Sequence, residues 1–380
     1  MTTAHLTVEE IDQQRRRAFE QVGYRCPKCG ASLTHPTLTA LPSAGILYWW
    51  GEERRETVTC QSCGAQYPWV AGVPDFRTYP PPFQTLDEEN AITDDLMQWT
   101  RRMCFPDLVS YYIKYHTKNT EYFNMIAIEN RVNSRPRGER FLALYDRDCR
   151  ALGLPAPKPG ERDLGVMLDL GCGVCGQLVA AAPRATALVG IDASMTEVFL
   201  GRRHLMDHHV PHGLLAMANG ETLPFPDATF DRIFMRDVVE HLDNQPVGLQ
   251  DAWRALKPGG HFYFNSPNRY SVWFPEPHTA IYWLGFHRRD RMRDVVWKKL
   301  KTTYDHTRLL SKWDLKTYVN QLEPRPAKKL IVGAAIPGAQ MEGPHAFMAP
   351  LLQSEDFCKL PMVNWVTPEH RVLLVKPEEK

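Results

Sequence analysis

The chain has 380 residues, 43% of them hydrophobic and 11% aromatic, with 45 Lys and Arg against 44 Asp and Glu and a formal charge of +1. Those values allow one large domain or two ordinary ones with a substantial core, and they exclude a largely disordered chain. A chain dedicated to polyphosphate partners carries a basic excess, which is missing here overall, so nucleic acid is not an expected partner.

The opening stretch MTTAHLTVEEIDQQRRR lacks the hydrophobic core of a secretory signal, and no apolar run approaches the roughly 20 residues of a membrane span. A cytoplasmic protein without a membrane span is expected. Six of the nine cysteines lie in three CxxC pairs, which in that compartment points to metal or redox chemistry rather than a disulfide framework.

Thr7, followed by Val8, Ile11, Ala18, Phe19 and Val22, predicts a short capped amphipathic helix within 1–23. Residues 24–78 read as compact and strand-like, with β-branched and aromatic residues at 45–50 and 57–59 on either side of a turn at 51–53. Tyr79-Pro80-Pro81-Pro82-Phe83 can continue neither ladder nor helix, which places a linker at 79–86. Residues 87–155 are helical and rich in aromatics, including Tyr111, Tyr112, Phe141 and Tyr145, and are expected to cap the next domain. Within 156–380, strands at 166–170, 187–191, 232–235 and 261–265 alternate with helices, and late strands follow at 330–334 and 371–376. That alternation predicts a parallel, doubly wound α/β sheet.

Cys26-Pro-Lys-Cys29-Gly30 and Cys60-Gln-Ser-Cys63-Gly64 are two CxxC knuckles about thirty residues apart, each with a glycine that permits a tight turn. Four thiolates satisfy tetrahedral Zn²⁺ and leave no open position, so such a metal is structural and supplies folding energy to a segment with little core. With Tyr67-Pro-Trp-Val-Ala-Gly-Val-Pro-Asp-Phe76, the knuckles resemble the small zinc-ribbon family of activating subunits of tRNA, rRNA and release-factor methyltransferases. The resemblance covers about 24–77 and implies a stabilising or substrate-presenting module, with a protein contact through the ribbon.

In Val166-Met-Leu-Asp169-Leu-Gly171-Cys172-Gly173-Val-Cys175-Gly176 an apolar strand runs into a glycine turn, where the backbone can approach a ligand closely, and then into a helix N-terminus with free N–H groups. Nineteen residues after Gly173, Leu188-Val-Gly-Ile191 ends in Asp192, a carboxylate placed to accept from two ribose hydroxyls. The glycine turn, Val189-Gly-Ile-Asp192, Asn219-Gly-Glu-Thr-Leu-Pro-Phe-Pro-Asp-Ala-Thr-Phe-Asp231, Val238-Val-Glu-His-Leu242 and Leu256-Lys-Pro-Gly-Gly260 together resemble class I S-adenosylmethionine-dependent methyltransferases of the type 11 kind. This resemblance spans about 165–265. It implies a Rossmann-like sheet, mostly parallel with the last strand antiparallel, preceded by the small β-rich ribbon and the helical cap, with an acceptor-site insertion at about 266–312.

Carried over residue by residue, the resemblance implies that Asp169 and the backbone at Gly171, Cys172 and Gly173 hold the methionine moiety. Asp192 grips the ribose, Ala193 and Ser194 line the adenine side, Asn219 and Gly220 meet the adenine edge, and Arg236 and Asp237 lie near the reactive methyl. Two positions depart from the pattern. Cys175 stands where a third glycine is usual, which puts a bulkier group near the ligand, and Asn219 replaces the usual acidic residue while keeping a donor and an acceptor.

An oxygen acceptor needs a general base. His241 titrates near neutrality and is one candidate, although a helix residue packed under the sheet fits it equally. Asp237 is a second, or else a helix cap. Beyond the fifth strand, Asn268, Glu276 and His278 border the region where acceptors bind in such sheets, His278 as a further base; each also suits a loop-stabilising role. Ser311 and Asp314 predict a helix N-cap. Arg288, Arg289, Arg291, Arg293, Lys298, Lys299 and Lys301 outweigh Asp290 and Asp294, a solvated helix face or a patch for an anionic acceptor. The reading is a methyltransferase for a small-molecule or lipid- or sugar-linked metabolite, acting at oxygen with S-adenosylmethionine and structural zinc. An RNA methyltransferase and a non-catalytic binding protein of the same fold are the alternatives.

Overall fold

The structure, a computed structural model, describes residues 17–18, 20–33, 55–70, 72–81, 84–100, 102–117, 120–155, 160–210, 213–334, 349–352 and 354–378. The start of the expected N-terminal helix, the strand at 45–50 and the turn at 51–53 lie outside these residues.

A small antiparallel sheet comes first, ordered β1 (Arg55–Thr59), β2 (Gln66–Val70), β3 (Val73–Pro74). Four helices follow: α1 (Leu86–Trp99), α2 (Phe105–His116), α3 (Glu121–Val132) and α4 (Ser134–Ala151). Thr85 and Glu88 close a reciprocal capping box at the start of α1. Apolar residues at helical spacing, Ile92 and Leu96 in α1 and Leu108, Val109 and Ile113 in α2, form one buried cluster with Val174 and Leu200.

The remainder alternates strands and helices. In order come β4 (Gly165–Leu170), α5 (Gly176–Ala181), β5 (Ala185–Asp192), α6 (Met195–Asp207), β6 (Leu214–Met217), β7 (Phe230–Met235), α7 (Gln245–Ala255), β8 (Leu256–Pro267), α8 (Arg289–Leu300), α9 (Lys312–Gln321), β9 (Lys328–Ala334) and β10 (Glu369–Val375). The seven strands are ordered β6-β5-β4-β7-β8-β10-β9. β4 and β5 are near-continuous apolar runs because helices cover both sheet faces, and they pair in parallel. β10 is antiparallel to both neighbours, setting Val372 opposite Phe264 and Ile331. The doubly wound α/β sheet, its antiparallel last strand and the preceding small sheet are as the sequence predicts.

Three local differences have physical causes. β6 was not anticipated, since four residues are too few to show a period. β8 begins at Leu256, absorbing the expected Lys-Pro-Gly-Gly turn, because Gly259 and Gly260 bond in register with Lys376. The helix expected at Val238–Leu242 is a single 3₁₀ turn at Val239–His241, since Asp237 is left-handed before it and Leu242 extended after it.

The chain divides into two compact units, 1–233 with 254–257, and 234–253 with 258–380. In the first, the ribbon runs onto the edge of the large sheet: Asp75 bridges Met217 in parallel, the Phe76 amide donates to Met217 O at 2.7 Å, and the Arg25 amide donates to Pro224 O at 2.9 Å. The aromatic ring of Tyr24 packs between Phe76 and Phe225. In the second, α8 buries Met292 and Val296 with Ile281, Leu284 and Leu309. Among the described residues no helix is long and apolar enough to cross a membrane.

Candidate active site

The four N-terminal cysteines converge, with their sulfurs all within 4.8 Å of one another. Cys26 Sγ lies 3.6 Å from Cys63 Sγ, and Cys29 Sγ lies 3.7 Å from Cys60 Sγ. Thiolates about 2.3 Å from one tetrahedral Zn²⁺ are separated by about 3.8 Å, so the cluster fits a zinc site. The two knuckles are built alike. Gly30 N donates to Cys26 O and Gly64 N to Cys60 O, with φ of 77° and 71° that only glycine adopts without strain. None of the nine cysteines forms a disulfide.

The glycine turn after β4 has Gly171 at φ 76°, Gly173 at φ 47° and Cys175 at φ 60°. A Cβ placed on Gly173 meets nothing nearer than Glu197 Oε2 at 3.8 Å, an ordinary contact, so the surface beside this glycine is not tightly filled by the chain itself. Asp192, ending β5, accepts from Gly173 N and from Ser194 N, both at 2.9 Å. These bonds tie the acidic strand end to the glycine turn. Burial, with Glu197 nearby, nevertheless pushes the Asp192 carboxyl up to about 6. Asp169 is buried beneath the turn. Ser194 caps α6 by accepting from Glu197 N.

Cys175 does not crowd this cradle. Its side chain is fully buried, and its sulfur fills the space beside Gly201 in α6, where an added Cβ would lie 2.4 Å from it. Cys172 and Cys175 stay apart at 3.9 Å between sulfurs.

Asn219 is tied to its own chain. Its Oδ1 accepts from Thr78 N at 2.7 Å, Thr78 Oγ1 at 3.2 Å and Tyr79 N at 3.3 Å, and its Nδ2 donates to Tyr79 O. A buried amide bonded this way holds the segment leaving the ribbon. The preceding Arg77 is buried too. It donates to Asp75, to Glu89 Oε2 at 2.6 Å and to Ala193 O at 2.9 Å, while Glu89 Oε1 accepts from Met195 N. The loop Ala193–Met195 is thereby clamped by the ribbon's exit and by α1. Arg131 of α3 pairs with Glu197 at 2.5 Å. Nothing in the sequence singled out Arg77, Glu89 or Arg131, since their partners other than Asp75, namely Glu89, Ala193 and Glu197, lie 12 to 116 positions away.

In the second unit, Asp237 sits in the left-handed region at φ 56° rather than capping a helix; its N–H donates to Asn265 Oδ1, and its carboxylate accepts from Asn265 Nδ2 at 2.6 Å. Arg236 lies 3.9 Å from Asp237. Asn265 also donates to Glu369, which burial and Asp237 push up to about 7. His241 and His278 meet, Nε2 to Nε2, at 3.2 Å; His278 Nδ1 donates to Glu276 at 2.5 Å and His241 Nδ1 to His306 O at 3.2 Å. Glu240, between Val239 and His241, is fully buried, and its carboxyl is pushed well above the ordinary range by that burial. Asn268 is structural: its Nδ2 donates to Trp365 O and Thr367 O, and its Oδ1 accepts from Tyr270 N. The basic stretch is largely a solvated face of α8, where Arg288 pairs with Asp290 and Arg293 with Asp305. Ser311 and Asp314 form the expected cap of α9.

Residues 168–264 match the family model of the methyltransferase domain. They form a class I methyltransferase domain. Curated relatives include the phosphoethanolamine N-methyltransferase of Triticum aestivum, 32% identical over 122 residues, which are 31% of this chain and 23% of that one. The ubiquinone biosynthesis O-methyltransferase of Methylobacterium nodulans is 29% identical over 140 residues, 37% of this chain and 55% of that one. Among solved structures, Haemonchus contortus phosphoethanolamine N-methyltransferase 2 in complex with S-adenosyl-L-methionine aligns with a TM-score of 0.41 at 15% identity, over 63% of this chain and 52% of that one. The chain spans about a quarter of the length of the plant enzymes it matches.

Proposed function

We propose that the protein is an S-adenosylmethionine-dependent methyltransferase that methylates a small-molecule or lipid- or sugar-linked metabolite at oxygen. The observation that carries the reading is the Asp192 carboxylate, bonded to Gly173 N beside an open glycine cradle within a methyltransferase domain. When bound, S-adenosylmethionine supplies a sulfonium methyl for in-line displacement. Asp192 accepts from the ribose hydroxyls, Asp169 and the backbone of Gly171, Cys172 and Gly173 hold the methionine end, and Ala193, Ser194 and Gly220 line the adenine side. Arg77 and Glu89 act through the Ala193–Met195 loop, keeping it in place before the ligand arrives, which lowers the ordering cost of binding.

The acceptor's proton must also leave. Asp237, His241 and His278, with Glu276 orienting His278, are the group assigned to receive it, and Arg236 is assigned to the same region. The ribbon holds structural zinc through Cys26, Cys29, Cys60 and Cys63, and such cysteine usage favours a cytoplasmic setting. Its contacts with its own chain, at Met217 and Pro224, make the sheet edge the ribbon's partner. A non-catalytic role rests on Cys175 and Asn219, and both have structural partners that leave the cradle open. RNA is disfavoured by the charge balance: residues 1–80 hold eight basic and eight acidic residues, and the basic stretch pairs two of its arginines with acids. Labelled methyl transfer offered to metabolite pools and to RNA in parallel tests the reading. Label is expected in the metabolite fraction, and label confined to RNA would contradict it.

A further inference from the structure

The second unit holds a group of side chains more specific than proton removal demands. The ligand atoms of Glu240, His241 and His278 all lie within 4.8 Å of one another. Glu240 has no exposed surface, and neither of its carboxyl oxygens makes a hydrogen bond. Both imidazoles are held in one tautomer, because Glu276 and His306 O can only accept, which assigns the Nδ1 protons. In the neutral imidazoles each Nε2 therefore presents a lone pair, and the two nitrogens face each other at 3.2 Å. Facing lone pairs repel, and a buried carboxyl without a hydrogen bond is unfavourable, unless a positive charge lies among them.

Distance narrows the choice. Two imidazole nitrogens on one Zn²⁺-like ion, each about 2.1 Å from it, lie about 3.0 Å apart in octahedral geometry and about 3.4 Å apart in tetrahedral geometry. The observed separation falls between these limits. The outer bonds also follow the pattern of metal-bound histidines, whose second ring N–H goes to a carboxylate or a backbone carbonyl, here Glu276 and His306.

We propose that Glu240, His241 Nε2 and His278 Nε2 bind a divalent transition-metal cation, best matched by zinc, at a site separate from the four cysteines. Two imidazoles and one carboxylate are the donor set of an open site, with one position left for another ligand. Under the methyl-transfer reading, on which this role rests although the site does not, the open position takes an oxygen of the acceptor and lowers its pKa, and Asp237, rather than the metal-bound imidazoles, then receives the proton.

The full chain, freed of metal and titrated with Zn²⁺ or Co²⁺, tests this. Wild type should take up two ions, one giving the thiolate-to-cobalt charge-transfer band and one not. His278→Ala and Glu240→Gln should each lose the second ion and keep the thiolate band, while Glu276→Gln should bind the second ion about 10- to 100-fold more weakly. A wild type that saturates with one thiolate-bound ion overturns the site and assigns the gap between the histidines to a shared proton; so does a folded His278→Ala protein that still holds two. The wild-type count decides the matter even where a variant fails to fold. S-adenosylmethionine binding, measured on the same samples, separates the two ideas. Lost cofactor binding with two ions present would sink the methyl-transfer reading alone, and intact binding with one ion would sink the metal site alone.

Discussion

Two clusters, one in each compact unit, treat their polar groups in opposite ways. In the first, Arg77, Asp75 and Glu89 close on one another and on the Ala193–Met195 loop, and Asp192 already holds two amides. In the second, Glu240 is buried without a hydrogen bond and two histidines face each other, Nε2 to Nε2. Paired groups fix a shape, so the first unit is built as a preformed cradle. Groups short of a partner gain stability from what arrives, so the second cluster is the one that the proposed cation would stabilise.

The contrast can be broken at several points. The largest effect is expected at the cysteine cluster, where Zn²⁺ contributes on the order of 10 kcal/mol to a small metal-held fold. Cys60→Ser should release the ion and unprotect the amides of β1 and β2 in hydrogen exchange, while β8 and β10 stay protected. Next comes the buried ion pair of the first unit. Arg77 and Glu89 have side chains 3% and 0% exposed, and Arg77→Met leaves Glu89 buried without its cation. A loss of about 3–5 kcal/mol in denaturant titrations follows from breaking such a pair. A change under 1 kcal/mol would mean that the loop is not clamped.

In the second unit, Asn268→Ala removes the donor of two carbonyls and the acceptor of the Tyr270 amide, a loss of about 2–3 kcal/mol. Cofactor affinity measured by calorimetry should not move, and a fall with the fold intact would join Asn268 to the ligand site. The smallest effect is a pH dependence. Asp192, raised to about 6 by burial, must be ionised to accept from both ribose hydroxyls. S-adenosylmethionine affinity should therefore be flat above pH 6 and fall about tenfold, or 1.4 kcal/mol, per pH unit below it. In Asp192→Asn the slope should vanish.

What could be read from the sequence divides along the same line. The glycine turn, Asp192 and the paired cysteines announce themselves because each is a local pattern: an apolar strand before glycines, or two cysteines and a glycine at fixed spacing. Most of the large sheet was legible for the same reason, β4 and β5 being buried on both faces and continuously apolar. β6 was not, being too short to show a period. Arg77, Glu89 and Arg131 were invisible because salt bridges over such sequence distances leave no spacing to detect. His241 and His278 were picked out singly as bases, but only the folded loop shows that they meet and that Glu240 lies with them. Asn268 takes the second of its two readings, a loop-stabilising residue, and Asn219 holds backbone of its own chain, partners that no local spacing announces.

The central claim is that the first unit's cradle binds S-adenosylmethionine through Asp192. Calorimetric titration of the full-length protein with that cofactor tests it most directly. One molecule bound per chain, with affinity lowered at least about 100-fold in a folded Asp192→Ala variant, is the predicted result. No binding to the zinc-loaded wild type, or equal binding by both proteins, would contradict it.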